Sequence, residues 1–204
     1  MQNLSVLFAR IISYLFHPLL LPTFGLFLIF NLDEAGLWIS SPEMRLFLYA
    51  VTFSITFLLP LTNAFLLLKM KYISSLEMKT KEERKIPYLV AAIFYSSESY
   101  FLMQWDVPVL IKALMLGATL LVVSVLLINL FWKISTHMAG IGGLCGMMIA
   151  ISYRLQINLH PVLIALFIIA GLIAFSRLKL SAHDSAQVYV GFLLGVFVQL
   201  FLFL

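Results

Sequence analysis

The chain has 204 residues, 63% of them hydrophobic and only 11% charged. A soluble domain carries roughly 25% charged residues, and a mean hydropathy of +1.07 excludes an ordinary water-soluble fold. The net charge of +4 rests on few side chains, so their placement matters more than their sum, and no nucleic-acid partner is expected. At ~20 residues per crossing, the length suits an all-α integral membrane protein. We expect a bundle of about seven transmembrane helices forming a single domain over residues 1–204 in a bacterial cytoplasmic membrane. The single cysteine, Cys145, cannot form an intrachain disulfide and reads as a small buried residue.

The first apolar run, 11–30, contains His17, Pro18 and Pro22. It is too long for a cleavable signal peptide, and no small-residue cleavage site follows it. The prolines predict a kink. A polar connection over 31–45 holds Asp33, Glu34 and Glu43. The second run, 46–70, includes Pro60 and Asn63, read as a kink and an interhelical hydrogen bond. Residues 71–87, KYISSLEMKTKEERKIP, form the longest polar segment. The third run, 88–105, carries Ser96-Ser97-Glu98-Ser99 near mid-span, where a carboxyl is costly unless it is protonated, paired or wetted. We expect Glu98 to face the bundle interior and to bond a polar group of a neighbouring span.

A fourth run covers 108–131 and a fifth 138–153. The fifth is rich in glycine, with Gly142 and Gly146 four residues apart, as are Gly191 and Gly195 in the seventh run. That spacing favours close helix contact in lipid. The sixth run covers 160–175 and the seventh 187–204. Between them lies Ser176–Gln187, SRLKLSAHDSAQ. A solvated membrane-surface loop would account for these charges. Arg177 with His183 also suits a bound anion, because guanidinium offers a fixed fork of donors and imidazole acts as acid or nucleophile near neutral pH.

Two crossings separate 87 from 133, and two more separate 137 from 176. The segments 71–87, 133–137 and 176–187 therefore share one side of the membrane. Most Lys and Arg lie on that side, and only Arg45, Lys112 and Arg154 lie opposite. The positive-inside rule makes the shared side cytoplasmic. No clustered His, Cys and carboxylates show metal-ligand spacing, so neither metal nor other cofactor is expected.

In these segments the chain resembles the type 2 phosphatidic acid phosphatase superfamily of integral lipid phosphatases over residues 79–195. That family's third motif reads Ser-Arg, five residues, His, three residues, Asp. Ser176, Arg177 and His183 match it, and Gln187 stands in place of the aspartate. The second motif, Pro-Ser-Gly-His, is met by Ser135 and His137 in Ile134-Ser135-Thr136-His137. The first, Lys, six residues, Arg-Pro, is met by Lys79 and Pro87, with Ile86 at the arginine position and Arg84 and Lys85 beside it.

The resemblance implies a lipid phosphatase or phosphotransferase acting on a phospholipid or polyprenyl (di)phosphate. His183 would attack phosphorus to form a phosphohistidine, and His137 would protonate the leaving oxygen. Lys79, Arg84, Ser135, Ser176 and Arg177 would hold phosphoryl oxygens. Gln187, four residues after His183, would accept the ring N–H on a shared helix. Lys79, Arg84, His137, Arg177 and His183 are expected around one polar pocket. Asp184, if helical, would point away from His183. The alternative is a non-catalytic protein that binds or moves a phospholipid or polyprenyl phosphate. A third reading is a small-solute transporter using Glu98 and His17.

Overall fold

The structure is a computed structural model that describes residues 4–32 and 41–204. The polar connection holding Asp33 and Glu34 lies outside the described residues. Every regular element among the described residues is helical: α1 Leu4–Leu15, a 3-10 turn Pro18–Leu20, α2 Leu21–Phe30, α3 Pro42–Phe53, a π-turn Ser54–Leu58, α4 Leu59–Lys69, α5 Lys81–Gln104, α6 Val109–Phe131, α7 Thr136–Leu155, α8 His160–Lys179 and α9 Ser185–Phe203.

Among the described residues, six segments are long and apolar enough to cross a bilayer: Leu4–Phe30, Pro42–Lys69, Val109–Phe131, Thr136–Leu155, His160–Lys179 and Ser185–Phe203. About seven are expected from the sequence. The one that falls short is α5, which opens on Lys81, Glu82, Glu83, Arg84 and Lys85 and holds Glu98 among serines.

Local chemistry explains the boundaries. In the first segment, Pro18 begins a short 3-10 turn and His17 caps it, the Nδ1 accepting from the Leu19 amide. Helix α5 starts about two turns before its apolar run. Thr80 caps it by accepting from the Glu83 amide at 3.4 Å, the Thr-x-x-Glu spacing of a capping box. Pro60 has no N–H to give the Thr56 carbonyl, and just upstream the ladder widens into the π-turn, as proline within a helix demands. Asn63 makes no interhelical bond through its carbonyl; Oδ1 is buried without a partner.

The chain gathers into two compact units, one of Met1–Leu21 with Lys133–Leu204, the other of Pro22–Trp132. In the second, α5 runs along α6. Lys81 donates to the Phe131 carbonyl at 3.2 Å and Asn129 donates to the Lys81 carbonyl at 2.8 Å, so polar groups tie the two helix ends. In the first unit α7 is the buried centre, with Cys145, Met147 and Met148 fully enclosed. It meets α9 backbone to backbone. A Cβ on Gly142 would sit 2.2 Å from the Phe192 carbonyl oxygen, and one on Gly146 2.3 Å from that of Val196. A Cβ on Gly195 would meet the Ala139 oxygen at 1.9 Å. The small-residue spacing therefore does serve helix packing, since without side chains the helices approach closely enough for van der Waals contact to hold them in lipid.

Gly195→Ala should therefore lower the thermal unfolding midpoint of the detergent-solubilised protein, at a cost of about 1–3 kcal/mol for overpacking. Gly171 on α8 faces open space. Gly171→Ala should be neutral or stabilise by about 0.5–1 kcal/mol, because glycine is a poor helix former.

Candidate functional site

In the first unit, four helix ends bring together ionisable groups that are far apart in sequence. Helix α8 runs through Lys179, four residues beyond its apolar run, so Ser176 and Arg177 lie in its last turns. The chain turns at 180–184 and enters α9. His183, 7% exposed, precedes Asp184, the N-cap of α9.

Asp184 is not helical, and its carboxylate turns to Gln187. Its Oδ1 accepts from the Gln187 amide at 2.8 Å, and its Oδ2 accepts from Gln187 Nε2 at 2.9 Å. Gln187 Oε1 lies 2.7 Å from His183 Nδ1. The direction of each bond follows from the carboxylate, which only accepts. Gln187 must donate through Nε2 and accept through Oε1, so His183 Nδ1 carries a proton. In the neutral ring the lone pair is then on Nε2. The Asp184 carboxylate thus reaches His183 through the Gln187 amide.

The start of α7 adds the second histidine. Ser135, its N-cap, is completely buried, and its hydroxyl has no hydrogen-bond partner. The Ser135 amide donates to the Gln187 carbonyl at 3.3 Å, and Lys133 Nζ donates to the Ala182 carbonyl at 2.8 Å. These two bonds fasten the α8–α9 turn to the N-terminus of α7. His137 Nε2 lies 3.1 Å from the Ser13 carbonyl of α1. A carbonyl only accepts, so that nitrogen is protonated, and in the neutral ring Nδ1 carries the lone pair and can take up a proton. Arg177 Nη1 donates to the Ser13 hydroxyl at 3.1 Å. His17 stacks edge-on against His137 with ring centroids 5.6 Å apart. Arg177, His17 and His183 all lie within electrostatic range of His137.

His137, Arg177, His183, Gln187 and Ser135 are thus brought into one cluster. Ser176 does not contribute a donor to it, because its hydroxyl donates to the Leu172 carbonyl at 2.7 Å within its own helix. Lys79 and Arg84 belong to the second unit, where Lys79 is exposed and Arg84 is buried with Nε donating to the Met78 carbonyl at 2.8 Å. The described residues contain no group of His, Cys and carboxylates able to hold a metal.

Sequence reasoning missed Asp184, Ser13 and Lys133, and it did not pair His17 with His137. Asp184 did leave a signal. Asp184-Ser185-Ala186-Gln187 has the spacing of a capping box, which marks Asp184 as a helix start. Ser13 left none, because its partners lie more than a hundred residues away.

The class these features define is an all-helical protein whose six apolar helices suit a lipid bilayer, with a histidine–arginine cluster at helix ends. Compared with known families, curated proteins and solved structures, the chain finds no match.

Asp184→Asn keeps a good helix cap but sets an amide N–H₂ against Gln187 Nε2. The Gln187 amide should flip and offer its N–H₂ to His183, moving the ring proton to Nε2. Nitrogen NMR of the labelled histidine should show the change of tautomer, while thermal stability stays within about 0.5 kcal/mol as for other conservative surface changes.

Proposed function

We propose that the chain is an integral membrane lipid phosphatase or phosphotransferase acting on a phospholipid or polyprenyl (di)phosphate. His183 Nε2 attacks phosphorus, and the bond from phosphorus to the lipid oxygen breaks. The lipid oxygen takes a proton from His137 Nδ1, which must first gain that proton from water, since Nε2–H is held by the Ser13 carbonyl. Water, or an acceptor alcohol, then cleaves the phosphohistidine. The observation that carries the reading is the bond chain Asp184–Gln187–His183, which leaves the lone pair on His183 Nε2. A nucleophile oriented by a base or acceptor, itself oriented by a third group, is the general pattern of activated nucleophiles.

Donors for the phosphoryl oxygens are at hand. Arg177 supplies a guanidinium. The Ser135 hydroxyl is buried and unpartnered at the N-terminus of α7, where amide groups and the helix dipole favour an anion. No resident cofactor enters this chemistry. Helix α5 serves as a seventh span, and the Lys and Arg distribution along the sequence favours a cytoplasmic position for the cluster.

Gln187 supports a second reading, a protein that binds or moves the same phosphorylated lipid without turnover, because an amide gives the imidazolium no full negative charge. The test is phosphate release by the purified protein from short-chain lipid phosphates. Wild type should release phosphate, and His183→Ala should abolish both turnover and any acid-labile phosphoenzyme. Turnover that survives His183→Ala overturns the mechanism. No wild-type turnover, with a gain in Gln187→Asp, establishes the binding reading instead.

Gln187→Leu removes both bonds of the amide. It should lower kcat by orders of magnitude while leaving lipid binding within a few-fold, because orientation matters most at the transition state. The loss should approach the roughly 10⁴-fold drop seen when the carboxylate of a serine-protease triad is amidated.

A further inference from the structure

The second unit holds an ionisable group that the proposed chemistry does not use. Glu98 lies about 16 Å beyond Pro87 along α5 at 1.5 Å per residue, and its side chain is completely buried. Thr52, at the end of α3, donates its hydroxyl to Glu98 Oε1 at 2.5 Å. This is the neighbouring-span bond expected from the sequence. The other oxygen, Oε2, is buried without a partner.

The donors around it are committed. The Thr56 hydroxyl, inside the π-turn, donates to the Thr52 carbonyl at 2.7 Å. Tyr95, 2% exposed and one turn before Glu98, hydrogen-bonds Thr56. Tyr95 is the one other titratable group in this hydroxyl chain. On the elements packed nearby, α3 carries Glu43, bonded to Ser41, and Arg45 and Tyr49, both against the Phe30 ring. The π-turn carries no charge, α4 only Lys69 in its last turn, and α6 only Lys112 near its start. Among the described residues no cation bonds to Glu98.

We infer that Glu98 Oε2 is a proton-binding site in the interior of the second unit, framed by Thr52, Thr56 and Tyr95. An ionised carboxylate there would keep one oxygen buried with neither donor nor countercharge, which an apolar interior strongly disfavours. One proton completes the site. A hard metal cation gathers several oxygen ligands, whereas this site offers one unpartnered oxygen. The π-turn lies beside the site. Thr52 sits two residues before it and Thr56 within it, and π-turns inside α-helices are frequent at functional sites. The inference is independent of the phosphatase reading.

Infrared difference spectroscopy on the full-length protein in lipid bilayers tests it. At neutral pH, wild type minus Glu98→Gln should show the carbonyl stretch of a neutral carboxyl, and raising the pH should exchange that band for carboxylate bands. Thr52→Val should shift the carbonyl band by removing the bond to Oε1, a second readout that does not require the glutamine variant to fold. Sodium chloride in place of potassium chloride should change nothing. Carboxylate bands alone at neutral pH would overturn the proton site, and a sodium-dependent shift would replace it with a cation site.

Discussion

The contact between α7 and α9 is the constraint on which the first unit depends. Lipid supplies no hydrophobic drive between helices, so association rests on close van der Waals approach and a few polar bonds. Gly142 and Gly146 on one helix and Gly191 and Gly195 on the other allow main chain to touch main chain. A Cβ on Gly191 would lie 2.6 Å from the Ser135 carbonyl oxygen. The same Ser135 donates its amide to Gln187. Packing and site thus share backbone atoms, and the spacing between the two histidines is set by how closely these helices can approach.

Parts of this arrangement were legible in the sequence for physical reasons. Apolar run lengths located the helices, and four-residue spacing foretold the glycine seam; the His183–Gln187 bond also forms, but with His183 before the start of α9 rather than on a helix shared with Gln187. What was hidden depended on helix ends and on distant pairing. Runs of hydrophobicity stop where charges begin, yet α5 and α8 continue into charged segments because Thr80 caps one and the Arg177 and Lys179 side chains suit the C-terminal end of the other. Asp184 was weighed only as a helical residue, and as the N-cap of α9 it instead turns its carboxylate to Gln187. Ser13 could not be found at all. Its carbonyl and hydroxyl meet His137 and Arg177 only once α1 lies beside α8, and no local pattern encodes that.

The two units use polar residues differently. In the first they gather at helix ends, where unpaired amides and carbonyls already need partners. In the second, Glu98 is buried far along its helix near the hydroxyls of Thr52, Thr56 and Tyr95, and Thr56 lies within a local change of helix pitch. Pro60 brings about that change from a position two turns after Thr52. Ser54–Leu58 is therefore a segment where covalent constraint, hydrogen bonding and side-chain chemistry act on the same few residues.

The first unit is built from two stretches that the whole of Pro22–Trp132 separates in sequence. Residues near Ser13 leave the ribosome well before Arg177 and His137 exist. During synthesis α1 must wait in the membrane with its future contacts unmade, while the second unit can fold behind it from contiguous chain. Closing so long a loop costs little extra free energy, because the entropy grows only with the logarithm of its length. It does set an order of assembly. The histidine cluster forms last, so a partly made chain holds no finished site.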